Sequence, residues 1–123
     1  MASPNIVGIT SLSARSLGTK LTTSSATVLL SNLTASNEVI KVNGVIVSNI
    51  TGSSADITLA HHPASAGGGT ATFIAKSVTV PTQTSLVVLD KSVGIYLEEN
   101  TSLVATASAA NYLDVVVSYE IIK

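Results

Sequence analysis

The chain has no cysteine and no tryptophan, one phenylalanine and three tyrosines among 123 residues. Without cysteine there is no disulfide framework, no thiol nucleophile and no thiolate zinc site. So few aromatics leave little material for a sugar platform or for stacking nucleic-acid bases. Charge is scarce too: 11% of residues are charged, six basic against seven acidic, where ordinary soluble domains carry about 25%. That balance gives no basic footprint for nucleic acid and no polybasic patch for anionic lipid. No apolar run approaches the roughly 18 residues of a membrane span. The opening "MASPNIVGITSLSARSL" has no positive charge ahead of its short apolar run, so it does not read as a secretory signal.

Serine and threonine fill the chain instead, at 33 positions, beside 46% hydrophobic residues. The apolar share argues against disorder. The polar share describes a soluble surface with little self-repulsion, suited to packing against copies or partners. By length this is one domain, residues 1–123, with 1–10 as an extended N-terminal arm.

The apolar residues are mainly Val, Ile and Leu in short runs bounded by Ser, Thr, Asn and Gly, which is the vocabulary of strands. The pattern predicts strands near Ile6–Thr10, Ala26–Ser31, Val39–Ser48, Asp56–His61, Ala71–Val80, Ser85–Asp90, Gly94–Glu98, Leu103–Ala107 and Leu113–Ile121. In the last, Leu113, Val115, Val117, Tyr119 and Ile121 share one parity, and Val116 is the apolar exception on the other. The central "VIKVNGVIVSNI" is apolar on both parities, as a strand covered on both faces would be. In "TATFIAKSVTV" the phase slips, predicting a β-bulge near Lys76 or Ser77 and turning Phe73 toward the core. Pro81 closes that strand. "SNLTASNEVIKV", from Ser31, echoes "SNITGSSADITL", from Ser48, as two hairpins needing similar turn residues. No segment has helical periodicity; "ATASAANYL" allows one turn. The whole reads as an all-β, antiparallel β-sandwich of the jelly-roll kind.

Chemistry concentrates in "LAHHPASAGGGT", Leu59–Thr70. On a strand the two histidines point to opposite faces, placing His61 at the core's edge and His62 in solvent, so the pair does not close on one metal. Gly67, Gly68 and Gly69 feed a strand and not a helix N-terminus, which excludes a phosphate loop and leaves a flexible hairpin tip. Such a tip is still a place for partner contacts. Glu98 and Glu99 diverge as neighbours, whereas acid–base work needs convergent groups. A serine–histidine–acid triad is unspecific among 18 serines, and there is no GxSxG elbow. No catalytic, cofactor or metal residues are expected.

The full length resembles a family of small virion structural proteins of tailed bacteriophages, especially those infecting marine cyanobacteria. The resemblance is carried by "MASPNIVGIT", "VNGVIVSNI", "ADITL", "SVTVPTQTSLVVLDKSVGIYLEENTSL" and "VATASAANYLDVVVSYEII". It implies a non-enzymatic virion component made in the bacterial host cytoplasm. The implied place is the head surface, as a decoration (cement) protein, with the neck, tail or fibre apparatus as the alternative. Implied partners are the major capsid protein or neck and tail proteins, with no nucleic acid and no membrane. A stand-alone adhesion module is the competing class. The low charge fraction and mean hydropathy of +0.52 point to a homo-oligomer, most simply a trimer at a local threefold. Candidate contact residues are Ala2, Ser3, Pro4 and Asn5 in the arm, for strand addition to a neighbour, with His62, Gly67, Gly68 and Gly69 in the hairpin tip.

Overall fold

The computed structural model describes residues 8–123, and among them the chain forms nine strands. These are β1 Leu12–Lys20, β2 Thr27–Asn32, β3 Val39–Asn49, β4 Ala55–His62, β5 Thr72–Val80, β6 Ser85–Leu89, β7 Ile95–Leu97, β8 Thr101–Ala107 and β9 Leu113–Ile122. A 3₁₀ turn, Lys91–Val93, separates β6 from β7. Asp90 caps it by accepting from the Ser92 hydroxyl and amide, which hold its carboxyl below the ordinary value of 3.8.

Two antiparallel sheets face one another. The larger runs β1–β9–β3–β6 with β7 also on β3, and the smaller runs β2–β8–β4–β5. Along the chain, the first four strands pair in reverse with the rest: β1 with β9, β2 with β8, β3 with β7 and then β6, β4 with β5. The chain is therefore one long antiparallel ribbon whose closed end is the turn between β4 and β5. Rolling that ribbon places β9 beside β3 and β8 beside β4, which closes both sheets. This is a jelly roll, the architecture expected from the sequence.

The core between the sheets is aliphatic. Val42, Val45, Val47, Leu97, Leu113, Val115 and Val117 from the larger sheet meet Ile57, Leu59, Leu103 and Ala105 from the smaller, all fully buried. Leu21 closes one end. β-branched and Leu side chains suit the alternating, half-buried surface of a strand. Tyr119 packs against this cluster with the parity expected.

Three expectations fail for physical reasons. The first strand is Leu12–Lys20, while Gly8–Thr10 are not in a strand and Ile6 and Val7 lie outside the described residues. β1 is an edge strand on which only Leu17 packs against the core, so its sequence carries almost no apolar signal. Phe73 is 48% exposed: beside the bulge at Lys76–Ser77, where Ser77 takes a positive φ of 51°, a second register shift lies between Leu59 and Ala60. With two slips in one strand, Phe73 faces outward with Lys76 Nζ 4.7 Å from its ring centre, a cation–π contact. Finally, β3 is not covered on both faces, because Ile46 is exposed.

The echoed "SN" pairs do the same work twice. Asn32 and Asn49 end β2 and β3 and turn inward, each almost fully buried. The Asn32 amide donates to the Glu38 and Leu97 carbonyls at 2.9 Å. That of Asn49 donates to the Ser53 and Val80 carbonyls at 2.8 and 3.1 Å. Each locks its own turn to a strand across the sandwich and satisfies backbone groups that would otherwise be buried unpaired.

Candidate assembly surfaces

His61 lies opposite Leu103 and His62 opposite Ser102, so the two imidazoles take opposite faces of the smaller sheet as their strand parity requires. His61 sits at the mouth of the sandwich, in a recess of about 300 Å³ shared with Pro63, Tyr96, Glu98 and Thr101. His62 is half-buried and not fully in solvent, its Nδ1 3.4 Å from the Gly68 carbonyl oxygen. Glu98 faces this recess while Glu99 is turned inward, 4% exposed, so the paired carboxylates diverge. Among the described residues no three His, Asp or Glu side chains gather as a metal site. Other recesses, about 220 Å³ near Asp56 and 230 Å³ near Asp114, fall below the usual size of ligand pockets.

The glycine stretch is a hairpin tip, but not a free one. It folds back across the outer face of the smaller sheet. The Gly67 amide donates to Ser102 Oγ at 3.1 Å, and the Ser102 hydroxyl donates to the Ala64 carbonyl at 2.7 Å. The Ser65 amide donates to Asn100 Oδ1 at 3.2 Å, and the Ser31 hydroxyl donates to the Ser65 carbonyl. Gly67, at φ 79°, rests against Val28 and Val104. Gly69, at φ 77°, leaves no room for a side chain, since a Cβ there would lie 2.6 Å from Pro63 Cγ. Pinning by hydrogen bonds from two other strands is a long-range effect that the glycines themselves do not announce.

Ala2, Ser3, Pro4 and Asn5 lie outside the described residues. The backbone at Thr10 and Ser11 is fixed: both amides donate to the Lys123 carbonyl at 2.7 Å. Lys123 also pairs with Glu38 at 3.2 Å. β4 and β9 both end at the same end of the roll, so the chain enters β1 at the end that carries the hairpin tip.

The outer face of the larger sheet does not stand out in the sequence. Its side chains form rows across the strands. Lys20, Asp114, Ser48 and Ser85 make one row, with an ion pair of 3.1 Å between the first two. The next is Gly18, Val116, Ile46 and Val87, where Val116, Ile46 and Val87 are 46%, 45% and 57% exposed. Then come Ser16, Ser118 and Gly44, and after them Ala14, Glu120, Lys41 and Tyr96. The signal exists in the sequence only in two pieces. Val116 breaks the parity of its strand, and "VIV" breaks the parity of β3; the register makes these two anomalies neighbours.

The roll has solved counterparts. An endospore appendage of Bacillus, described as a disulfide-linked pilus, superposes with TM-score 0.55 at 11% identity, over 98% of this chain and 95% of that one. The T13 particle of infectious bursal disease virus gives TM-score 0.56 at 8% identity over 90% of this chain. Its Gx strain gives 0.53 at 7% over 91%. The chain spans about a third of the viral chains, 31% and 32%. At such identities the likeness is one of fold. No family pattern and no curated protein sequence matches the chain.

Proposed function

We propose that this protein is a non-enzymatic structural component of a tailed-bacteriophage virion, a decoration (cement) protein held on the head surface by protein–protein contacts. The observation that carries the reading is the outer face of the larger sheet, where an exposed apolar row lies between rows of small and charge-paired side chains. Such a face suits a broad protein contact. The recess on it at Gly18, Lys20, Asp114 and Val116, about 230 Å³, is smaller than a usual ligand pocket. The jelly-roll neighbours, a pilus subunit and a viral particle chain, fit a role in assembly.

In this reading the partner is the major capsid protein, and the protein is a homo-oligomer, a ring of three about a local threefold. Further contacts come from Ala2, Ser3, Pro4 and Asn5 of the arm, and from His62, Gly67, Gly68 and Gly69 of the tip. Synthesis is in the host cytoplasm and residence is on the particle. Mass spectrometry of purified particles, combined with density mapping, tests this. Recovery in fixed stoichiometry with density on the head supports it. Density at the neck, tail or fibre overturns the decoration role, and absence from particles favours a free adhesion module.

A further inference from the structure

Two of the rows on the outer face of the larger sheet, the apolar one and the one that ends on β7, are complementary to themselves when reversed. Consider a twofold axis parallel to the strands, running between β9 and β3 in the plane separating two facing copies. Every residue then lies over the mate of its own row. Val87, the most exposed of the apolar row, lies over Gly18, which has no side chain to oppose it. Val116 lies over Ile46. In the row that ends on β7, Tyr96 lies over Ala14 and Glu120 over Lys41. Large meets small and acid meets base in the same operation, and Ser118 over Gly44 lets the two sheets come close.

We propose that a second copy of this chain docks here, face to face and related by that twofold, forming an isologous dimer. Two sheets packed in this way keep their strands within about 30° and sit about 10 Å apart. Four strands spaced about 4.8 Å, each rising about 3.3 Å per residue over nine residues, present on the order of 600 Å² in projection. With side-chain relief that approaches the roughly 800 Å² per partner of a stable interface. The charges in these rows are two lysines, Lys20 and Lys41, and two acids, Asp114 and Glu120, so two copies meet without net repulsion. This contact rests on the same reading of the face as an assembly surface, and it leaves the hairpin tip on the other sheet and the sheet edges free for further partners.

Sedimentation of the purified chain tests it. The expected mass is an even multiple of 12.4 kDa, and Val87→Asp, which sets a charge over Gly18, is expected to halve it. The decisive arm mixes two variants. Lys41→Glu and Glu120→Lys should each weaken self-association about tenfold, because each sets like charges face to face. An equimolar mixture should restore it, since the mixed pair places two acids over two lysines. Mixing cannot repair a fault within one chain, so restoration reports contact between copies. A wild type that stays monomeric at millimolar concentration, or a mixture no stronger than either variant alone, overturns the proposal. Either result leaves recovery from particles untouched as the test of the virion reading.

Discussion

Gly69 shows how much one residue can hold. Its backbone lies in the left-handed region, and Pro63 occupies the place of a side chain. Gly69→Ala should cost about 1–3 kcal/mol, the usual scale of a strained non-glycine backbone, read as a lower denaturation midpoint. Val117 is the contrasting case. It is fully buried between the sheets, so Val117→Ala removes two carbons from a packed core and should cost about 2 kcal/mol, the low end for large-to-small changes. An unchanged denaturant midpoint for that variant would contradict the packing. Residues of this kind are legible where the alternation is clean. Phe73 is not, because parity counts residues and cannot see two register shifts within one strand.

At the scale of elements, the strands with a hydrophobic face are readable to within a few residues, and β1 is not. An edge strand needs only one partner and little burial, so "LSARSLGTK" offers serine and glycine where a central strand would offer valine. The hairpin between β4 and β5 is legible as a turn, while its docking depends on Ser102 and Asn100, more than thirty positions away. Ser102 both accepts from Gly67 and donates to Ala64. Ser102→Ala should therefore release the tip, at a cost of about 1–3 kcal/mol for the polar groups left unmatched. Hydrogen exchange is expected to speed up over 63–69 with the strands unchanged. Uniform acceleration across the whole chain would show that Ser102 supports the fold at large.

For the whole molecule, the class is legible and the winding is not. Composition, turn spacing and the absence of helical periodicity lead to a sandwich, but which strand lies beside which is settled by pairings between distant segments. The far-ultraviolet circular dichroism should be that of strands without a helical component. Since the chain has no cysteine, reducing agent should leave both its stability and its assembly unchanged. That sets it apart from the disulfide-linked pili of similar fold. Deleting Ala2–Thr10 removes the arm and only the Thr10 part of the pairing to Lys123. It should weaken assembly or particle attachment more than it lowers the melting temperature; an equal loss of both would make the arm part of the fold.

The pairing of Thr10 and Ser11 with Lys123 has a topological meaning. The two ends of the ribbon meet, so with residues 1–9 removed one short splice would close the backbone into a circle. Joined there and reopened at Ser24, in the exposed turn between β1 and β2, the chain would begin with β2 and finish with β1. The register of β1 against β9, from Leu12 beside Ile122 to Lys20 beside Asp114, would then join strands consecutive in the permuted sequence. The longest-range closure in the native order would become a local hairpin, and loop closure is what slows the folding of such topologies. The permuted chain should reach the same roll faster than the natural one.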